Sequence, residues 1–420
     1  MMTEDMKLAE PAVAGEPIAY NPFVQPHMDN PYPILSRARA TAPVFFSQAL
    51  GAWVVTRYEL VQEILQNAKD FRNGGLEVKR EHPPEVQAIL NEIPRYVPML
   101  VASDAPQHTP RRRLAQSAVS PKRVSQLEDK VRAIVNRLID SFIHQGRCDF
   151  YDSFAYRYPL SVISSLLGLP DSAAEMLHSW AGCRVSLAWG GLDLQAAKIA
   201  ARGSVNFHRY IEGEVKIRCE QPREDLISDM LEINRKSGSP VSFEEIVEQV
   251  QGLVVAGHET TANWLTMTLF HLLSNPSDWA KVLEDQSVIP RMLEESLRFD
   301  GPVSGLWRKT AGEVVIGDIT VPAGSAVFCS LGSANRDETV FEDAEHFVMQ
   351  RSQAPARQHI MFGRGPHVCV GATLARLEGR VAFEVLRQRM PHMRLAQSSL
   401  SFGPNAVLRQ PKALLLEWNV

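Results

Sequence analysis

Cys369 is the residue whose surroundings best prepare it for chemistry. It stands in Phe362-Gly363-Arg364-Gly365-Pro366-His367-Val368-Cys369-Val370-Gly371, where two glycines and a proline set a tight loop. A helical pattern, Ala372 to Arg389, begins just beyond the sulfur. Backbone N–H groups at a helix start, and the positive end of the helix dipole, favour thiolate over thiol. Glycines let backbone approach a flat ligand closely or take positive φ. The other cysteines, Cys148, Cys183, Cys219 and Cys329, are widely spread, and no C-x-x-C pair offers a zinc or dithiol site. A single cysteine in arbitrary surroundings is most often a small buried hydrophobe, so the flanking pattern carries the functional reading.

Three other clusters hold groups that could act together. Ala256-Gly257-His258-Glu259-Thr260-Thr261 lies inside a long apolar pattern. Glycine within a helix costs about 1 kcal/mol relative to alanine, which predicts that something fits against the backbone there. Adjacent Glu259 and Thr260, an acid and an alcohol, can deliver protons to a site without flooding it with water. Glu295-Ser296-Leu297-Arg298 puts a carboxylate and a guanidinium three apart on one helical face. His108 and Arg112, four apart, suit a carboxylate ligand, and Pro110 between them belongs only in a helix's first turn.

The pattern F-G-x-G-x-H-x-C-x-G resembles the haem-ligand loop of the cytochrome P-450 family, and the other clusters resemble that family's A-G-x-[DE]-T, E-x-x-R and H-x-x-x-R elements in the same order. Asn30-Pro31-Tyr32-Pro33 and Ala334-Asn335-Arg336-Asp337 extend the resemblance from about residue 30 to the C-terminus. It implies that Cys369 is the axial thiolate ligand of the iron of haem b, with Phe362, Gly363, Gly371, Ala256 and Gly257 against the cofactor. His108, Arg112, Arg308 and His367 then meet haem propionates. Glu259 and Thr260 become the proton-delivering pair, with Glu259 linking to solvent, while Glu295 and Arg298 take a structural role. The distal substrate pocket falls on Leu100, Val101, Val254, Val255, Val303, Ser304 and Leu306, flanked by the stretches around 185–194 and 410–412.

The implied reaction is monooxygenation, by hydroxylation or oxidative demethylation, of a small to medium apolar molecule. Mostly aliphatic lining suits a substrate held by burial, with Arg184 or Lys412 as a candidate carboxylate anchor. A peroxide-driven haem-thiolate peroxygenase and a non-catalytic haem sensor are the alternatives, and retention of the acid and alcohol disfavours both. No G-x-G-x-x-G follows a plausible strand, and no flavin or iron–sulfur segment is visible, so electrons are expected from NAD(P)H through a ferredoxin reductase and a ferredoxin. Arg111, Arg112, Arg113, Lys122, Arg123, Arg364, Arg376 and Arg380 would form a basic face for that partner.

These groups need a large helical frame. Helical periodicity runs over 124–143, 160–167, 196–219, 223–233 and 243–274. The last begins with the capping box of Ser242 and Glu245 and stops at Asn275-Pro276, giving a central helix about 50 Å long over the haem. Strand signals are few, over 52–56, 314–331 and 413–418. The fold class expected is mainly α with small β-sheets, the single-domain cytochrome P-450 fold over 26–420, behind a flexible segment 1–25. With 420 residues, 45% apolar, and a net charge of −4, the chain reads as a soluble globular protein that does not bind nucleic acid. Five scattered cysteines fit a reducing cytoplasm, the opening stretch offers neither a signal-peptide core nor a membrane anchor, and a monomer is expected.

Overall fold

A computed structural model describes residues 18–73, 82–94, 99–189, 192–238, 241–352 and 357–420. Helices dominate. The first half carries α1 (Tyr32–Thr41), α2 (Tyr58–Gln66), α3 (Pro84–Leu90), α4 (His108–Ala118), α5 (Pro121–Ser125), α6 (Glu128–Asp140), α7 (Arg157–Leu166) and α8 (Ala174–Trp189). The second half carries α9 (Leu194–Glu220), α10 (Leu226–Lys236), α11 (Phe243–Ser274), α12 (Pro276–Glu284), α13 (Ile289–Asp300), α14 (Leu331–Ala334) and α15 (Ala372–Arg389).

α11 begins and ends where its sequence signals place it. Glu245 N donates to Ser242 Oγ at 3.2 Å, and Ser242 N donates to Glu245 Oε2 at 2.7 Å. Pro276 opens α12 directly after Asn275. α11 is buried along most of its length against α7, α8, α9, α13 and α15. Trp264, nearly inaccessible, anchors it to α13 by donating its indole N–H to Ser296 Oγ at 2.8 Å.

The strands are short. β1 (Val44–Ser47), β2 (Ala52–Val55), β3 (Phe71–Arg72), β5 (Leu306–Thr310) and β8 (Ala326–Cys329) form a five-stranded sheet in the order β1-β2-β8-β5-β3, with β2 and β8 parallel. β4 (Arg147–Asp149), β9 (Arg394–Leu395) and β10 (Leu415–Glu417) make a second sheet, and β6 (Val314–Ile316) pairs with β7 (Ile319–Val321). The strand-like run 314–331 is therefore three strands feeding α14, because turns at Gly317 and Gly324, both at positive φ, fold it back on itself. Helical pattern 124–143 likewise divides between α5 and α6.

Residues 1–17 of the expected flexible segment lie outside the described residues. From Ile18 the chain is packed: Ile18 and Tyr20 are buried with Phe45 and Phe328, and Tyr20 O accepts a hydrogen bond from Ser47 Oγ at 2.8 Å. Distant segments meet again at buried Asp300. Its carboxylate accepts from Tyr32 Oη at 2.5 Å, pairs with Arg409 Nε at 2.7 Å and contacts His271 Nε2 at 3.0 Å. Burial alone would raise the pKa of Asp300, but Arg409, His271 and Arg336 hold it far below the usual carboxylate range.

Candidate haem-thiolate site

The cysteine loop is set by backbone that only glycine adopts easily. Gly363 and Gly365 have φ of +74° and +69°. A Cβ on Gly365 would lie 2.5 Å from the carbonyl oxygen of Leu65, so α2 packs directly on this loop. Cys369 N donates to Phe362 O at 2.7 Å, which closes the turn and places the sulfur at the entry to α15. Cys369 has accessible surface. Desolvation pushes its thiol up, while the N–H groups of Gly371 and Ala372 and the Arg112 and Arg376 guanidinium groups act in the opposite direction, the one expected of a sulfur at a helix start.

Arg376 connects the loop to α13. Its guanidinium lies 4.5 Å from the centroid of the Phe362 ring and bonds Glu294 Oε1 at 2.6 Å. Glu294 also meets His359 at 3.1 Å. Burial would raise Glu294, but these two partners bring it down to about 2.

Four basic side chains converge beside Cys369. His108 and Arg112 come from the first turns of α4, where Pro110 fits as the third residue, Arg308 comes from β5 and His367 from the cysteine loop. The His108 and His367 rings have centroids 4.1 Å apart. Arg112 Nη2 donates to Val368 O at 2.9 Å. Arg308 is buried and donates to the carbonyl of Trp307 at 2.7 Å; among the described residues it makes no ion pair. Buried His108 Nε2 has no hydrogen-bond partner among the described residues. Burial lowers His367 to about 3, with His108 and Arg308 adding to that shift. A cluster of basic side chains with one buried nitrogen left unbonded suits a ligand carrying carboxylates.

Between residues 246 and 269 of α11, the residues with accessible surface are Gly252, Leu253, Ala256, Gly257 and Thr260, one helical stripe. Val254 has no accessible surface and Val255 very little, so the pocket expectation for this pair is one residue out of phase, about 100° around the helix. Leu253 holds the open position instead. At Gly257 an added Cβ would lie 3.7 Å from Ile163, ordinary contact, so packing on α7 does not itself demand the glycine. Thr260 Oγ1 donates to Ala256 O at 2.8 Å, which leaves its lone pairs for an acceptor role.

Glu259 points elsewhere. It is 1% exposed, its Oε2 has no partner among the described residues, and it bonds the Tyr156 phenol rather than solvent. Burial raises it to about 7, and the Tyr156 bond works against that rise. Nothing in the sequence around Tyr156, about a hundred residues earlier, marks it as a partner of this acid. Glu378 of α15 is a second buried acid pushed well up by burial, bonded to Thr261. Its position in an otherwise ordinary amphipathic helix gave no signal either.

Leu100, Val303, Ser304 and Leu306 are half-buried and Val101 is 54% exposed, consistent with placement along an opening. Gln410 is half-buried and Lys412 exposed. Val185 and Leu187 are buried, Leu192 and Leu194 are exposed, and residues 190–191 lie outside the described residues. Arg184 does not wait for a substrate carboxylate: it pairs with Glu248 and donates to Gln251 Oε1 at 2.8 Å.

Glu295 and Arg298 are both fully buried. Arg298 bonds both oxygens of Glu295 at 2.8 Å and uses its remaining hydrogens on the carbonyls of Asn335, Ala344 and His346. Every donor of the guanidinium is satisfied.

Half of the expected basic face is cancelled by carboxylates. Arg111 is buried against Glu245 at 2.5 Å, Arg123 pairs with Asp229, and Arg376 with Glu294. Arg380 bonds Glu128 at 2.6 Å and Glu384 at 2.9 Å. Glu128, Glu294, Arg376 and Arg380 line a recess of about 310 Å³ floored by Leu293 and Leu377. Arg113 and Lys122 remain as exposed cations without an ion pair among the described residues, with Arg364 half-buried on the carbonyl of Gln358.

The family model described as Cytochrome P450 matches residues 207–416. Cytochrome P450 107B1 of Saccharopolyspora erythraea is 36% identical over 354 residues, covering 83% of this chain and 84% of the relative. The chain belongs to the cytochrome P450 family. A second relative of this P450, the cytochrome P450 monooxygenase PikC of Streptomyces venezuelae, is 32% identical across 93% of this chain and 91% of its own. The P450 haem domain of Tepidiphilus thermophilus superposes with a TM-score of 0.90 at 30% identity, covering 95% and 96% of the two chains. An intact type IV self-sufficient cytochrome P450 monooxygenase superposes at 0.91 and 29% identity, with this chain covering 54% of it. The protein is therefore an oxidoreductase of the haem-thiolate monooxygenase family, with the mainly helical P450 fold. Among the described residues no helix is long and apolar enough to cross a membrane.

Proposed function

We propose that this P450 hydroxylates a small to medium apolar molecule, using haem b held by Cys369 and two electrons supplied by a ferredoxin with its NAD(P)H-dependent reductase. The observation that carries the reading is the convergence of His108, Arg112, Arg308 and His367 beside an accessible cysteine, with a buried His108 nitrogen left unbonded. That donor set fits a flat dianion bearing two carboxylates better than it fits solvent. Thiolate-ligated haem supplies the activation of dioxygen and the insertion of one oxygen atom into substrate.

The chain's own residues supply position and protons. Phe362, Gly363 and Gly371 shape the loop around the sulfur, and Arg112 and Arg376 offset its negative charge. Thr260, fixed by its bond to Ala256 O, presents hydroxyl lone pairs on the accessible stripe. Glu259, raised by burial to about 7, is an acid that can take up and release a proton near neutral pH. Ala256 and Gly257 keep that stripe low, so a flat group can lie close to α11.

Aliphatic Leu100, Val101, Leu253, Val303 and Leu306 favour a substrate held by apolar contact. Relatives named mycinamicin IV hydroxylase/epoxidase and vitamin D(3) 25-hydroxylase, at 30% and 33% identity, support hydroxylation of an organic molecule as the reaction. Purified holoenzyme with ferredoxin, its reductase and NADPH should convert such a compound to a product one oxygen heavier, labelled from ¹⁸O₂. Label arriving from hydrogen peroxide but not from dioxygen would replace this reading with a peroxygenase.

A further inference from the structure

Three elements meet around the buried Glu259 carboxyl of α11. The Tyr156 phenol, at the start of α7, bonds it. Gly182, in the middle of α8, makes room for that bond: a Cβ there would lie 3.3 Å from Tyr156 Oη and 4.0 Å from Glu259 Oε1. Mid-helix glycine is unfavourable, so α8 gives up helix stability to seat the pair. Glu259 Oε2 is buried without a partner among the described residues, and no lysine or arginine among them bonds this acid.

The titratable groups around the pair are Tyr151 from the turn before α7, His178 and Cys183 from α8, and His258 from α11. The rings of His178 and His258 lie 4.1 and 4.0 Å from that of Tyr156, and His258 Nε2 is bonded to Tyr156 O at 2.8 Å. Tyr151 Oη is held by Asn263 Oδ1 at 3.1 Å. Burial keeps both tyrosines protonated far above neutral pH, so neither is itself a source of protons.

We propose that Tyr156 is the positioning residue of the proton supply: its phenol fixes the Glu259 carboxyl between α7 and α8 and stabilises the ionised form, so the acid can give up a proton as well as take one. The proton that leaves Glu259 is replaced from water, and Tyr156 keeps its own. This rests on the reading that Glu259 feeds protons to the haem side.

The test uses holoenzyme carrying Tyr156→Phe or, touching neither partner, Gly182→Ala, which pushes a methyl group against the phenol oxygen. Infrared titration follows the protonated carboxyl band that Glu259→Gln removes. Loss of the donor should raise the midpoint of that band by about one pH unit in both variants, a tenfold weaker ionisation. The pH profile of product formed per NADPH should move by the same amount in Tyr156→Phe, with haem content unchanged. An unmoved band midpoint, or a moved midpoint with an unmoved coupling profile, overturns the role of Tyr156. Unchanged coupling in Glu259→Gln overturns instead the proton role of Glu259, and the infrared result then still reports whether the pair exists.

Discussion

Glu295→Gln tests whether the buried charge network behind the cysteine loop holds the fold. Glu295 Oε1 accepts from Arg298 Nη2 and Val348 N, each at 2.8 Å. Its Oε2 accepts from Arg298 Nε at 2.8 Å and Arg351 Nε at 2.9 Å. Glutamine keeps the shape but turns one oxygen into an NH₂ group, so two of the four donors face another donor. Two buried guanidinium groups also lose their shared counter-charge. Breaking a buried pair from one side costs about 3–5 kcal/mol. With an unfolding entropy near 2.1 cal/mol/K per residue, that cost lowers the thermal midpoint of a chain this long by roughly 3–6 °C. Differential scanning fluorimetry with haem quantitation reads both stability and loading. Glu232→Gln is the control, because Glu232 pairs with Arg235 and Lys236 in open solvent and should not shift the midpoint. Equal midpoints for the two variants would refute the claim that the network is structural.

Gly365→Ala forces a side chain into positive φ and against the Leu65 carbonyl, so haem incorporated per polypeptide should fall, whereas Gly51→Ala, at positive φ with open space around it, should load normally. Cys369→Ala should abolish the thiolate signature in the carbon monoxide difference spectrum, and a retained signature would move the ligand elsewhere. Glu259 is raised by burial from 4.5 to about 7, so its stabilising contribution is complete below 4.5 and is lost as pH rises through 7. At 1.36 kcal/mol per pH unit this is worth about 3 kcal/mol, so Glu259→Gln should flatten the fall in thermal midpoint between about pH 5 and pH 8; superimposable slopes would contradict it. Because half of the eight cations of the expected ferredoxin face already have carboxylate partners, reduction by a ferredoxin should depend only weakly on salt, and a steep decline between 50 and 300 mM would restore a basic docking field.

Local signals were the ones the sequence carried well. The Ser242–Glu245 capping box and Asn275-Pro276 act within four residues, and α11 spans the interval between them. The cysteine loop is legible for the same reason, since its glycines answer to their own φ. Phase around a helix is harder: Leu253 rather than Val254 faces the opening, and adjacent valines and leucines do not say which way the helix turns. α8 was missed because it is sandwiched by α7, α9 and α11 and so lacks a clean polar stripe. Ion pairing was the least readable. Arg376 finds Glu294 and Arg380 finds Glu128 across long stretches of sequence, so cations that look free in a list are spent in the fold.

The clasp at Asp300 joins Tyr32 of α1 to Arg409, two residues far apart in the chain. Such a closure cannot form until Arg409 has been synthesised, so the acid first waits without its guanidinium. A chain cut short before Arg409 leaves Asp300 a buried anion without that counter-ion, and should be less stable than one that carries it however complete its central helices are.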